Sequence, residues 1–411
     1  MPPRGSTPGW QSLPAGAGSG LIGNIGAACR GSRGKAPGAA AALLLASALG
    51  AIGCAEVEDT GMRQVASAED LGWLVERGEA MRAVIGDAIG NVTDARFLAG
   101  GEFVVVLDRY TPHLRLFRRD GTPLWQGGPA GEGPGELRFP RGIAVDDESV
   151  WVWEFGRVSR WRLEADSLAG SIVHSGGTTM PALAITLDCA GEILIYGMRE
   201  VAATTFTGER EIGLVHRLGG MDEGAVHVRT LWRTERDGNV PHGSRRSGAW
   251  MSGSTAGWVV QHWKGYLASN REIIAFDCDG NVTGTFPEAA LAEGDEPTVE
   301  ALGSGAVLTT AGAALGVAKW RGGFLLMTVR QDGREREPRL ILHAGGDDFR
   351  WVPVPPEVFA YLQHAEPEGG LLLARRNPVP HFIPLSPGEV EELFQLDPGA
   401  WSGSDPQAPP D

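Results

Sequence analysis

Near its N-terminal third the chain contains four short runs, Val92-Thr-Asp-Ala-Arg-Phe-Leu98, Phe103-Val-Val-Val-Leu107, His113-Leu-Arg-Leu-Phe117 and Pro123-Leu-Trp125, with Asp120-Gly121 before the last run. Each run is short and rich in the β-branched and aromatic residues that favour strands. Gly-Gly and Asp-Gly between the runs supply the positive φ angles that tight hairpin turns require. The stretch therefore predicts one antiparallel sheet of four strands.

The most apolar run of this unit recurs along the chain. Its equivalent positions are Val104, Val150, Leu194, Val259, Leu325 and Leu372, spaced by 46, 44, 65, 66 and 47 residues. The two longest spacings indicate insertions in the third and fourth units. Small sheets that repeat in this way cover their apolar faces by stacking on their neighbours. We therefore predict an all-β fold, a six-bladed β-propeller of four-stranded antiparallel blades over residues 71–395.

The segment Leu71–Ile85 stands before the first complete unit and has some helical character. A ring of repeated sheets is commonly closed by pairing one end of the chain with the other. We predict that part of this segment pairs into the last blade and closes the ring.

Composition and charge exclude several classes of protein. Of 411 residues, 42% are hydrophobic and 21% charged, which is too apolar for a disordered chain. The formal net charge is −15. A nucleic-acid partner requires a basic surface that displaces phosphate counterions. The sequence therefore predicts that nucleic acid is not a partner.

The N-terminus has the layout of an export signal. Three basic residues precede an apolar run, Pro37–Gly53, that is rich in small residues. The run is too short and too rich in Ala and Gly for a membrane span, which needs about 20 strongly apolar residues. We predict a signal peptide over residues 1–53, with a start that can lie downstream of Met1. The basic residues are Arg30, Arg33 and Lys35.

The end of this run, Ala51-Ile-Gly-Cys54, resembles the bacterial lipobox, in which a Cys after small residues becomes lipidated. The resemblance implies lipidation of Cys54, a tether over residues 54–70 and a place in the bacterial cell envelope, at the outer membrane or facing the periplasm. An uncleaved anchor and a secreted protein cut near Ala55 are the alternatives. Residues 396–411 are predicted to form a flexible C-terminal tail.

Two cysteines lie in the predicted propeller. Cys189 and Cys278 both fall in turns, at different places within their repeats. We expect two unpaired thiols, with one disulfide between them as the alternative that an exported chain permits.

The junction between the first two units reads Gly127-Gly-Pro-Ala-Gly-Glu-Gly-Pro-Gly-Glu-Leu-Arg-Phe-Pro-Arg-Gly-Ile-Ala-Val-Asp146. It resembles the NHL-repeat junction and is similar to bacterial lipoproteins known as six-bladed β-propellers. The motif covers residues 127–146, and a weaker blade pattern extends over about 90–385. The resemblance implies the fold and an envelope location, and it implies no known reaction. The residues themselves predict a structural turn, because a phosphate cradle needs a following helix and Arg138–Val145 is strand-like.

Candidate ligand-binding residues are those that enter or leave inner strands, where the loops of several blades converge. Arg141, Arg246, Trp250 and His262 are selected because guanidinium groups bind anions and aromatic rings stack on sugars. Asp108 recurs as Glu154 at the equivalent position, which indicates turn caps. Trp151 and Trp153 share a strand face and are expected to pack between blades. Trp258 and Trp263 belong with Trp250 and His262 to the aromatic group that is the better binding candidate, and packing in the core is the alternative for them.

No catalytic motif stands out. The nine His residues form no His-x-His or His-Glu-x-x-His pattern, and no Gly-x-Ser-x-Gly turn is present. We predict a non-enzymatic, monomeric envelope lipoprotein without metal or cofactor. Its channel-mouth loops would bind an extracellular or periplasmic protein, peptide or glycan. The alternative is a gluconolactonase-like propeller hydrolase with one divalent cation, of the calcium type, held by carboxylate and Asn ligands from separate blades.

Overall fold

The computed structural model describes residues 62–396, apart from 155, 176–181, 202–209, 220–226, 237–249, 264–270, 288–290, 292–297, 303–304, 310–314, 333–334, 359 and 377. The predictions for the signal segment, Cys54, Arg246 and the tail beyond residue 396 lie outside these ranges and stay predictions.

Strands are numbered in chain order from β1 (Arg63–Gln64). Blade 1 contains β2 (Val92–Leu98), β3 (Phe103–Asp108), β4 (Leu114–Arg118) and β5 (Pro123–Gly127). Blade 2 contains β6 (Gly142–Val145), β7 (Ser149–Glu154), β8 (Arg157–Glu164) and β9 (Ser167–Ser175). Blade 3 contains β10 (Ala182–Leu187), β11 (Ile193–Val201), β12 (Arg210–Gly219) and β13 (His227–Arg236).

Blade 4 contains β14 (Met251–Ser254), β15 (Gly257–Trp263), β16 (Arg271–Phe276) and β17 (Val282–Pro287), and a separate hairpin, β18 (Thr298–Leu302) and β19 (Gly305–Thr309), follows it. Blade 5 contains β20 (Gly316–Trp320), β21 (Gly323–Asp332), β22 (Glu335–His343) and β23 (Phe349–Pro353), with β1 parallel to β23 at its outer edge. Blade 6 has three strands, β24 (Tyr361–Ala365), β25 (Leu371–Arg375) and β26 (His381–Leu385). In the described part of the chain, the α-helices are α1 (Gly72–Ile85) and α2 (Pro387–Leu393), and short 3-10 turns span Glu69–Leu71 and Pro356–Val358.

The first strand of each blade contacts the first strand of the next, and the sixth returns to the first, so β2, β6, β10, β14, β20 and β24 form a closed ring. The six positions chosen from the sequence all fall in the second strands of their blades. The predicted six-bladed β-propeller is therefore confirmed. Blade 6 differs from the expected pattern, because it has three strands where four were predicted. Trp151 and Trp153 pack against blade 3, as predicted.

The strand role predicted for Leu71–Ile85 is wrong. Gly72–Ile85 forms α1, which packs along β26 beside the three-stranded blade. Arg77 donates from Nη1 to the Pro384 carbonyl oxygen at 3.1 Å. Met81 and Ile85 are buried in the cluster formed by blades 6 and 1. A helix therefore seals the junction between the first and last blades. Within the described ranges, no helix is long and apolar enough to cross a bilayer.

The expectation of two unpaired thiols is also wrong, because Cys189 and Cys278 form a disulfide with a Cα–Cα distance of 5.5 Å. Cys189 lies in the turn between the first and second strands of blade 3, and Cys278 in the turn between the third and fourth strands of blade 4. Antiparallel strands bring both kinds of turn to the same end of the sheet. Arg119 and Glu366 form an ion pair at the equivalent place between blades 1 and 6.

Candidate binding face at the mouth of the propeller

Two sets of loops share one end of the ring: those that precede the first strand of a blade, and those that join its second and third strands. We call this end the mouth face. Four of its residues are Trp250, just before β14, Arg376, just after β25, Tyr110, in the loop after β3, and Phe139, in the junction before β6. Side chains from several blades can therefore meet one ligand there, as the sequence predicts.

Arg376 is the central charged group of the mouth face. Its guanidinium carbon lies 4.1 Å from the centroid of the Tyr361 ring and 5.7 Å from that of Trp250. The two ring centroids are 6.2 Å apart, although the rings come from blades 6 and 4, which blade 5 separates. Arg376 also donates from Nη2 to the Thr93 carbonyl oxygen of blade 1 at 3.2 Å. One guanidinium thus connects three blades.

The electrostatics of Arg376 follow from its partial burial. Burial lowers the pKa of its guanidinium, while Tyr361 and the Asp94 carboxylate oppose that shift. An arginine remains cationic under such conditions because its ordinary pKa is so high. Its Nε is buried and has no hydrogen-bond partner within the part of the chain that the structure describes. The site therefore holds a positive charge with one donor unused.

Asp94 and Arg96 form a polar layer below Arg376. Asp94 accepts a hydrogen bond from the Ile143 backbone nitrogen at 3.1 Å and pairs with Arg96. Arg96 in turn donates to the carbonyl oxygen of Gln363 in blade 6. Burial raises the pKa of Asp94, although Arg96 and the backbone donors oppose the shift. These contacts join the inner strands of blades 6, 1 and 2 and hold the loops above them.

Two aromatic side chains project from the rim of the mouth face. Tyr110 is 58% exposed, and Phe139 is 67% exposed. Phe139 also has a φ of 57°, a left-handed conformation that costs a residue with a Cβ about 1–2 kcal/mol. A ring that is mostly exposed buries little apolar surface, so its burial does little to offset the backbone strain. Such residues point to a surface that contacts something else.

Two arginines are close in sequence to these rings: Arg109 precedes Tyr110, and Arg141 lies two residues after Phe139. Both are exposed, and within the described ranges neither side chain forms an ion pair or a hydrogen bond. Their backbones are fixed, because Arg109 donates its N–H to the Asn91 oxygen at 2.9 Å and Arg141 donates to the Trp153 oxygen at 2.8 Å. The structure thus places Arg141 on the mouth face, where its guanidinium has no ion pair among the residues that the structure describes.

Two buried carboxylates hold the rim loops. Asp108 is fully buried, accepts the backbone N–H groups of Gly90, Asn91 and Tyr110, and pairs with Arg115 at 2.8 Å. The predicted role of Asp108 as a turn cap is confirmed.

Glu154 has the same function in blade 2. It accepts the backbone N–H of Arg138 and pairs with Arg157. Burial raises the pKa of Glu154, while these donors oppose the shift. Its predicted capping role is confirmed, and it fixes the junction that carries Phe139.

His262 lies elsewhere. Its side chain is fully buried between blades 3 and 4, where Nδ1 is 2.8 Å from the Tyr196 hydroxyl and the ring packs edge-on against Trp232. Trp258 is fully buried as well and stacks on Phe276, with 3.7 Å between the two ring centroids. Of the four residues selected from the sequence, Arg141 and Trp250 are therefore on the mouth face and His262 is in a blade interface. Arg246 lies outside the described residues.

Sequence reasoning missed Arg376, Tyr361, Phe139 and Tyr110. Arg376 and Tyr361 carry no motif, and only the closed ring brings them to Trp250. Phe139 stands inside the quoted junction motif, but its positive φ cannot be seen in the sequence. The usable signal was position, because all four residues lie in loops or strand starts at one end of their blades.

In the described ranges, no three His, Cys, Asp or Glu side chains form a group that could hold a metal ion. Asp277 binds the backbone of its own hairpin, accepting the Asp279 and Asn281 N–H groups. These hydrogen bonds lower the pKa of its carboxyl against the opposing effect of burial. The turn predicted around Cys278 is confirmed.

The fold defines the chain as a six-bladed β-propeller. No family model and no curated protein matches it. A chain named as an exported protein from Bacteroides fragilis is 11% identical, with a TM-score of 0.40, over 70% of this chain and 79% of that one. A gluconolactonase from Xanthomonas campestris is 14% identical, with a TM-score of 0.38, over 75% of this chain and 93% of that one. A glutaminyl cyclase from Myxococcus xanthus is 13% identical, with a TM-score of 0.31, over 65% and 93%. At these scores the likenesses carry no argument about function.

Proposed function

We propose that the protein is an envelope binding module that captures an acidic glycan, a polysaccharide bearing carboxylate groups, on its mouth face. The observation that carries the proposal is the combination, at one end of the propeller, of exposed aromatic rings with guanidinium groups that have no ion pair among the described residues. Rings of Tyr110 and Phe139 offer flat surfaces for the C–H faces of sugars. Arg109 and Arg141 offer paired donors for carboxylates.

Individual guanidinium groups on the mouth face support an acidic ligand. The whole chain has a net charge of −15, so most of its surface repels anions. On the mouth face, Arg109, Arg141 and Arg376 provide local positive charge, and the first two have no ion pair in the described ranges. The same loops carry the exposed carboxylates of Asp87, Glu132 and Glu357, so a carboxylate ligand would be held by individual guanidinium groups and not by the net charge of this end.

The location that we propose is the cell envelope, with a lipid at Cys54 as the anchor and secretion without an anchor as the alternative. Support comes from the Cys189–Cys278 disulfide, because such bonds persist in oxidising compartments outside the cytoplasm. The lipobox-like sequence before Cys54 and the NHL-like junction favour membership of the six-bladed propeller lipoproteins. Labelling with a clickable fatty acid, in comparison with Cys54→Ala, tests the anchor. Equal labelling of both proteins would refute it.

Binding to polygalacturonate and to neutral dextran, measured by calorimetry, tests the proposed function. We expect polygalacturonate alone to bind, and Tyr110→Ala and Arg141→Gln each to weaken binding about tenfold, since each removes on the order of 1.4 kcal/mol. Val282→Ala and Arg162→Gln are matched controls, because both residues are exposed at the opposite end of their blades. Equal losses in variants and controls, or binding of neither polysaccharide, would refute the proposal.

The alternative, a propeller hydrolase with a divalent cation, needs carboxylate and amide ligands from separate blades. Metal analysis of the purified protein, together with a screen of lactone and ester hydrolysis, tests it. A stoichiometric cation with lactone turnover would favour the enzyme over the glycan-binding module.

A further inference from the structure

The chain contains the tripeptide Asn-Val-Thr twice, at Asn91–Thr93 and at Asn281–Thr283. Asn-x-Ser/Thr, with x other than proline, is the sequence that accepts N-linked sugars in secreted proteins, and an acceptor must lie on an accessible surface. Because the two copies have identical residues, the structure around them decides which one a modifying enzyme can reach.

The copy at Asn91 is built into the fold. Val92, its middle residue, is fully buried in the cluster between blades 6 and 1. The Asn91 N–H donates to the Asp108 carboxylate at 2.9 Å, and its carbonyl oxygen accepts the Arg109 N–H at 2.9 Å. An enzyme that binds all three residues would have to pull the middle side chain out of the core.

The copy at Asn281 lies on the surface. All three of its side chains are exposed, at the point where the turn after β16 enters β17, the outer strand of blade 4. Thr283 is the extra residue of a β-bulge, since Val282 and Gly284 pair with consecutive residues of β16 and Thr283 pairs with none. Within the described residues no further strand pairs with β17, so the tripeptide can be approached from outside.

The atom that would accept a sugar is Nδ2 of Asn281. It donates one hydrogen bond to Asp277 Oδ2 at 2.9 Å, and an amide nitrogen carries two N–H groups. The side chain of Asn281 forms no other hydrogen bond in the part of the chain that the structure describes. Asp277 therefore orients the amide on the outside of the turn and leaves one N–H available for reaction.

We propose that Asn281 is an N-glycosylation site, to which a transferase attaches a sugar from a diphosphate-linked donor. A bond forms between Nδ2 and the anomeric carbon of the sugar. The bond from that carbon to the diphosphate oxygen breaks, the diphosphate leaves with the electron pair, and Nδ2 releases one proton to a base of the transferase. The proposal rests on the export proposed above and does not depend on the binding role of the mouth face.

The surroundings of the turn support this assignment. Cys278 lies in the same turn and forms the disulfide with Cys189, and such bonds persist in the compartments outside the cytoplasm. The turn is at the end of blade 4 opposite the mouth face. A sugar attached to Asn281 would therefore leave the mouth face open to its own ligand.

Mass spectrometry of the full chain, purified from the cells that make it, tests the site. We expect the peptide containing Asn281 to carry a sugar, localised to that residue by fragmentation, and the peptide containing Asn91 to carry none. Thr283→Ala should abolish the modification although Asn281 remains, because the acceptor sequence requires a hydroxyl at its third position, and Thr283→Ser should keep it. Thr285→Ala is the matched control, since Thr285 is exposed on the same strand outside the tripeptide, and it should keep the modification.

Cell fractionation separates the failure of this proposal from that of the proposed location. An unmodified Asn281 in protein recovered outside the cytoplasm would overturn the glycosylation site alone, and unmodified protein in the cytoplasm would overturn both. Modification that survives in Thr283→Ala would also overturn the proposal, because the tripeptide would not be what the enzyme recognises. Failure to bind polygalacturonate, with Asn281 modified, would count against the glycan-binding function alone. Thermal unfolding should show the same Tm for Thr283→Ala and Thr285→Ala, so that a difference in modification is not a difference in folding.

Discussion

Phe139 combines a strained backbone with an exposed side chain. Its φ of 57° is one that glycine adopts without cost. We predict that Phe139→Gly raises the free energy of unfolding by about 1 kcal/mol, because the strain is removed, and weakens polygalacturonate binding about tenfold, because the ring is lost. Urea unfolding and calorimetry measure the two effects, which have opposite signs.

Ala165 is the control for Phe139. It has a φ of 54° in the turn between β8 and β9, at the end of blade 2 opposite the mouth face. Ala165→Gly should stabilise the protein by a similar amount and leave glycan binding unchanged. If Phe139→Gly destabilises the protein, then the ring contributes to folding and its strain is not evidence for a binding role.

His364 makes stability depend on pH. Its Nδ1 accepts the Phe97 N–H at 3.2 Å, and burial, assisted by Arg96, holds its pKa well below the ordinary 6.5. The unfolded chain therefore takes up this proton first as the pH falls, so the contribution of His364 to stability is complete above pH 6.5 and is lost below it. We predict that His364→Gln, which keeps an acceptor, reduces the loss between pH 7 and 5 by up to about 1.4 kcal/mol per pH unit.

Urea unfolding at several pH values measures this effect as a slope. The slope of the free energy of unfolding against pH does not change if the substitution lowers stability by the same amount at every pH. His343 and His381, whose pKa values burial also lowers, remain in both proteins and contribute equally. Identical slopes would contradict the prediction.

Single residues also show where the sequence was informative. Asp108 and Glu154 could be predicted as caps, because the same chemistry recurs at the same place in two blades. Arg376 could not be predicted, because the rings of Trp250 and Tyr361 reach it only through the closed ring. Recurrence reveals what each blade needs for folding, while a binding face is built from residues that do not recur.

At the scale of elements, α1 stands beside the three strands of blade 6. Leu74 is 1% exposed and packs into the cluster shared by blades 5 and 6, whereas Val84 is 50% exposed on the same helix. We predict that Leu74→Ala lowers the free energy of unfolding by about 2–5 kcal/mol, the usual cost of a buried Leu→Ala change. Val84→Ala should change it by less than about 0.5 kcal/mol.

Urea unfolding of both variants tests whether the helix is part of the cooperative fold. Equal and small effects would show that α1 is peripheral. Two expectations competed for this segment, because its residues have helical character while ring closure favoured a strand. Packing decides the outcome, because a helix can bury Met81 and Ile85 against two blades at once while a strand would extend only one.

For the whole molecule, the spacing of repeats predicted the ring, because every blade must cover its neighbour. The same comparison of repeats did not predict the disulfide. Cys189 and Cys278 occupy different positions within their repeats, so the comparison gave no reason to place them side by side. In the ring they are adjacent, since one turn belongs to blade 3 and the other to blade 4. Which turns meet is a property of the assembled ring.

The disulfide should stabilise the ring as a whole. It joins positions 89 residues apart, and a crosslink of that span restricts the unfolded chain strongly. We predict that replacing Cys189 and Cys278 by Ser lowers the free energy of unfolding by about 2–4 kcal/mol. A reducing agent should cause a similar loss in the unchanged protein and none in the double variant, which separates the bond from the packing of its turns. Mass spectrometry of the unreduced protein should recover one peptide pair containing both cysteines, and free thiols at both positions would contradict the prediction.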